Sequence, residues 1–86
     1  MNLDDFKNAS FDEQCNVIMI QSNYIMMRGK QDCNIYLYHT GDFFIEVSFS
    51  SRYKKVVRIH AFDHHEGLLP YAERISLEDL NWPSTI

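Results

Sequence analysis

Between residues 24 and 62 the chain repeats one pattern: short apolar or alternating segments set apart by polar turn residues, with no interval long enough for a helix. Parallel strands need a crossover of about a dozen residues or more, so connections this short leave an antiparallel meander. The segments are "YIMMR" (24–28), "CNIYLYH" (33–39), "FFIEVSFS" (43–50) and "VVRIHAF" (56–62), joined by "GKQD", "TGD" and "SRYKK". Alternation then sorts the side chains. Phe43, Ile45, Val47 and Phe49 share one face of the third strand, and Ile35 and Leu37 share one face of the second. Matching those two sets needs an odd connection, so a three-residue loop, Thr40 to Asp42, is expected. Val57, Ile59 and Ala61 complete this inner face.

Helices flank the strands. "SFDE" from Ser10 is a capping box, in which the hydroxyl takes the third helical N–H and Glu13 reaches back. Phe11, Cys15, Ile18 and Met19 recur at helical spacing, which predicts a helix over 11–21. Leu3 and Phe6 anchor a short turn before it. After the last strand, "EGLLPYAERI" sets Leu68, Leu69, Ala72 and Ile75 toward a core, and Pro70 fits only in a first turn, so a second helix starts near residue 68. "SLED" at 76–79 resembles one more helix start. The expectation is one α+β domain over residues 1–86, a four-stranded antiparallel meander in the order α-β-β-β-β-α, with the N-terminal and C-terminal helices on one face.

Composition narrows what such a domain does. Hydrophobic residues at 45% and aromatics at 14% suit a packed globule and not a disordered chain. A formal net charge of -4 argues against a nucleic-acid backbone as ligand, because that affinity comes from Lys and Arg. The acidic start "MNLDDFKN" is not a secretory leader, and no apolar run approaches the roughly 18 residues of a membrane helix. A small acidic cytoplasmic protein is expected, with Cys15 and Cys33 as reduced packing residues.

"IHAFDHHEG" concentrates three of the four histidines, with Asp63 and Glu66 among them. His60, Asp63, His64 and Glu66 are the ligand types of a metal-dependent hydrolase, which is the alternative enzymatic reading. Their spacing is poor for convergence. Adjacent His64 and His65 point apart in extended chain, and no H-E-x-x-H or C-x-x-C accompanies them. The segment therefore reads as a polar loop between strand and helix, with Asp63 or His65 as a cap. No cofactor is expected, and no phosphate-cradling glycine loop or nucleophile elbow occurs in the sequence.

The outer face of the predicted sheet carries more. Alternation places Tyr36, Tyr38, Phe44, Glu46, Ser48, Val56, Arg58, His60 and Phe62 there, with Glu46 paired to Arg58 across strands. Aromatics around a charged pair are the composition of an interface centre. Tyr36, Tyr38, Phe44, Glu46, Arg58 and His60 are the expected partner-binding residues of a non-catalytic protein–protein interaction module. Its partner is another protein or a second copy as a homodimer. An inhibitor or immunity-type protein has this size and acidity.

Leu37, Tyr38, Phe43 to Val47, Val57, Ile59, Ala61, Phe62, Leu69 to Tyr71, Ile75, Leu77, Asp79 and Leu80 also form a longer pattern, a "LY…FFVEV" hairpin followed by "I..I.AF" and "L.PYL..I.L.DL". It resembles small uncharacterised bacterial α+β proteins of about eighty residues. That resemblance covers the last fifty residues or so and implies a fold without implying an activity.

Overall fold

The structure, a computed structural model, describes residues 1–71. Two helices, α1 (Leu3–Asn8) and α2 (Phe11–Gln21), precede four strands, β1 (Asn23–Lys30), β2 (Cys33–His39), β3 (Phe44–Ser50) and β4 (Lys55–Phe62), and a 3-10 helix (His65–Tyr71) closes the described chain. The expected continuation of the last helix through Ala72 and Ile75, and the turn at 76–79, lie outside the described residues.

Local chemistry sets the helix starts. The Asn2 side chain accepts the Asp5 N–H at 2.8 Å and starts α1. The Ser10 hydroxyl accepts the Glu13 N–H at 3.2 Å and starts α2 where the capping sequence places it. Gln14 donates from Nε2 to the Phe6 carbonyl at 2.9 Å, which fixes α2 against α1. The residue that α2 buries is Val17; Ile18 is half-buried, while Phe11 and Met19 stand in solvent.

The strands form the predicted antiparallel meander in the order β1-β2-β3-β4. Its register differs from expectation. His39 pairs with Phe44, so the connection holds four residues, 40–43, and Phe43 belongs to the loop. The loop is held by Thr40, whose N–H donates to the Phe43 carbonyl at 3.0 Å and whose hydroxyl accepts the N–H of Asp42 and of Phe43, each at 3.2 Å. Gly41 supplies the positive φ of 103° that the turn needs.

An even loop inverts the faces of β2 relative to β3. Tyr36 pairs with Val47 and Tyr38 with Ile45, whereas Ile35 pairs with Ser48 and Leu37 with Glu46. A face buried on one side alone would resist this slip. Here both faces of the sheet are covered, so Leu37 is buried in an apolar cluster on the side away from α1 and α2. On the helix side, Phe6 and Val17 pack with Phe43, Ile45 and Ala61, flanked by Leu3, Ile18, Tyr38, Val47 and Ile59. On the opposite side, Leu37, Phe44 and Phe62 pack under Leu68 and Tyr71, flanked by Ile25 and Met26. The C-terminal helical segment therefore covers the face opposite α1 and α2, not the same one. Gly67 lies so close to the Phe62 ring that a Cβ there would overlap it.

Val57, expected on the inner face, is exposed, because the β3–β4 ladder shifts register between Ser48 and Phe49. A similar shift in β1–β2 falls between Tyr24 and Met26. The two turns at the far end of the sheet are tied together: Ser51 donates to the Asp32 carbonyl from its N–H at 3.0 Å and from its hydroxyl at 2.8 Å. Among the described residues no helix is long and apolar enough to cross a membrane.

Candidate functional site

The six residues expected to share a contact face are divided between two. Tyr36 and Tyr38 lie on the helix side with Val47 and Ile45. Glu46, Arg58 and His60 lie on the other, where Glu46 faces His60 and Ser48 faces Arg58. Phe44 is fully buried, stacked on Phe62 at 5.5 Å and on the His39 ring at 4.5 Å, so it presents nothing to a partner. Burial holds the His39 imidazole below its usual pKa, against the opposing pull of Asp42.

Glu46 does not pair with Arg58, since the register sets His60 opposite it. Its carboxylate instead accepts from two residues that the alternation did not single out. The Tyr71 hydroxyl donates to Oε2 at 2.8 Å, and the Arg28 guanidinium reaches the same oxygen at 3.3 Å. Arg28 also lies over the Tyr71 ring, 5.3 Å from its centroid. Tyr71 is fully enclosed, and burial, then the hydrogen bond to Glu46, pushes its pKa up to about 12. This is a clamp: a neutral phenol and a guanidinium hold one carboxylate and pin the 3-10 helix across β1 and β3. Both donors converge on that one oxygen, which makes it a structural acceptor.

The histidine segment borders one open pocket, lined by His60, Asp63, His64 and Glu66 with Leu3 and Lys7. His60 stacks on Phe62 at 5.7 Å, on the sheet. His64 meets Asp63 at 3.4 Å, with the His64 side chain 84% exposed. Among the described residues, no three or more His, Cys, Asp or Glu side chains are placed to hold one metal ion. The four residues of the alternative hydrolase centre, His60, Asp63, His64 and Glu66, thus border one pocket without a metal-holding set among the described residues.

A second constellation lies on the helix side, at the β1 edge. Tyr24 pairs with Tyr38 across strands, its ring 5.7 Å from that of Tyr38 and 6.3 Å from that of Tyr36. Met27 pairs with Tyr36. Burial, then the neighbouring Tyr24 and Tyr36, raises the Tyr38 pKa. The outer members of this shelf are open: Tyr24 is 55% exposed and Met27 38%. Near in sequence, the last turn of α2, which leads into β1, carries Met19 and Ile20, 80% and 79% exposed. Tyr24 and Met27 were absent from the sequence-derived set because residues 24–27 are all apolar or aromatic and alternation does not choose their exposed side.

The chain thus belongs to the broad class of α+β meander domains with a sheet covered on both sides. Comparison with protein-family models, with curated proteins and with solved structures gives no match.

Proposed function

We propose that this chain is a non-catalytic protein-binding module whose contact surface is the tyrosine shelf of Tyr24, Met27, Tyr36 and Tyr38, extended by Met19 and Ile20. The observation that carries this reading is the gathering of four large exposed apolar side chains, Met19, Ile20, Tyr24 and Met27, in one stretch of nine residues beside a cluster of tyrosine rings. Scattered exposed apolar residues are ordinary, but a contiguous aromatic patch marks an interaction site. Tyrosine supplies area and a hydroxyl with little rotamer entropy to lose, and methionine adapts to a partner's contour. The partner is another protein or a second copy, in keeping with an inhibitor or immunity-type role, and Tyr36 and Tyr38 of the expected surface remain in the proposed one.

A photo-crosslinking residue placed at position 24 tests the reading, with the same residue at position 7 as control. Capture of a protein partner from 24, lost when Tyr36→Glu and Met27→Glu are added to a chain with unchanged circular dichroism, is the expected result. Equal capture from both positions, or capture that survives the two glutamates, refutes the shelf.

A further inference from the structure

The sheet sorts its charges by side. The register sets all four strand cations, Arg28, Lys30, Lys55 and Arg58, on the clamp side, in line with Ile35 and Cys33 of β2. Arg52 and Lys54 lie in the β3–β4 turn, at the end of the sheet away from Tyr24 and Tyr38. On the shelf side the strands place no charged residue. Over that side stand α1 and α2, which expose Asp4, Asp5, Asp12 and Glu13 against Lys7 and the terminal ammonium. Among the described residues, none of these four carboxylates is in an ion pair. The side that bears the shelf is therefore the negative one.

The tyrosines give a second, independent sign. Arg28 lies over the Tyr71 ring at 5.3 Å, and Arg52 over the Tyr53 ring at 5.6 Å. Among the described residues, no cation lies over Tyr24, Tyr36 or Tyr38. The Tyr24 ring makes angles of 52° and 66° with those of Tyr36 and Tyr38. Rings tilted in this way do not cover one another's π faces, and an open π face attracts a cation, a planar guanidinium above all.

We infer that the partner seated on the shelf is a basic protein, whose arginine side chains lie on the rings of Tyr24, Tyr36 and Tyr38 while its other cations face the carboxylates of α1 and α2. The inference rests on the proposed binding role of the shelf and gives the chemistry of its partner. An ordinary interface covers about 800 Å² of each protein, a patch roughly 30 Å across, so a partner centred on the shelf also reaches the two helices. Charge then separates the possible occupants. A second copy seated shelf to shelf brings the same four carboxylates, so like charges meet, and its arginines are on the far side or at the turn. A nucleic acid or an anionic membrane sets phosphates against those carboxylates, where the only side-chain cation on the two helices is Lys7. A basic protein meets complementary charge at the helices and supplies the guanidinium that the shelf lacks. Arginine and tyrosine are also the residue types that dominate interface centres.

The test uses fluorescein-labelled decaarginine as the probe, with decalysine, decaglutamate and a ten-thymidine single strand beside it, read by fluorescence anisotropy. Salt is held at about 0.1 M, where charges are felt over about 10 Å and the two sides of the sheet are read separately. Decaarginine should bind roughly threefold or more tighter than decalysine, because a guanidinium stacks on tyrosine better than an ammonium does. Asp12→Lys with Glu13→Lys should weaken decaarginine binding about tenfold. Tyr24→Leu with Tyr36→Leu, which keeps apolar area and removes the π faces, should weaken it about threefold with circular dichroism unchanged. Lys55→Glu with Arg58→Glu, on the clamp side, should change it by less than about twofold. Equal affinity for the two cationic peptides, or indifference to either the helix or the tyrosine variants, overturns the inference. So does tighter binding of decaglutamate or of the thymidine strand, or a doubled mass in light scattering that Tyr24→Glu returns to monomer. Failure here is separable from failure of the shelf. If capture of a protein from position 24 is unchanged by Asp12→Lys with Glu13→Lys, the basic partner is refuted and the shelf stands; if position 24 captures nothing, both fall.

Discussion

The two faces of this sheet are closed by different means. On one side α1 and α2 press Phe6 and Val17 onto Phe43, Ile45 and Ala61, an apolar contact with a wide choice of equivalent side chains. On the other, seven residues of 3-10 helix hold Leu68 and Tyr71 over Leu37, Phe44 and Phe62, and the phenol of Tyr71 is fastened to a carboxylate that Arg28 also grips. A segment that short buries little area and has poor hydrogen-bond geometry of its own. The difference teaches that a small lid gains its position from a directional polar contact, where a pair of helices relies on area.

The contrast breaks first at Phe44. Phe44→Ala should cost about 3–5 kcal/mol, read from urea midpoints, because it empties the centre of the second core. A loss under about 1 kcal/mol would mean that this face has no true core.

A smaller effect sharpens the role of the clamp. Tyr71→Phe removes the donor to Glu46 and should cost about 1–2 kcal/mol while keeping the packing. It should also alter the alkaline limb. An unfolded tyrosine releases its proton near pH 10, whereas folded Tyr71 keeps it to about 12. Its contribution is therefore full below pH 10 and declines as pH rises through that window, since the unfolded chain releases its proton first. Urea unfolding of the parent at pH 9 and pH 11 should show this decline, and Tyr71→Phe should show less of it. The smallest effect belongs to the other side: Met19→Lys on α2 should stay within about 0.5 kcal/mol, because that side chain touches little.

Much of this architecture is legible in the residues. "SFDE" places the start of α2 because its cap is a local contact. The strands and their order follow from segment spacing, since short connections exclude other pairings. The facing of β2 did not follow, because Phe43 and Phe44 are both large and apolar and the pattern fits either parity. Thr40 decided it by folding four residues into the loop. The Glu46 contacts were hidden for a related reason. Their register depends on that loop and on the shift at Ser48/Phe49, while Arg28 and Tyr71 come from distant parts of the sequence. Of the candidate surface, Tyr36 and Tyr38 were visible from alternation on β2 alone; Tyr24 and Met27 required the pairing of β1.

Phe43 and Phe44 are neighbours along the backbone, yet their rings sit in separate interiors, one against Phe6 at 5.4 Å and the other against Phe62. One peptide bond thus acts as a rivet through the middle layer of a sandwich. Loosening either interior tugs on the same link, so the helical half and the lidded half are mechanically joined and should melt as one cooperative unit.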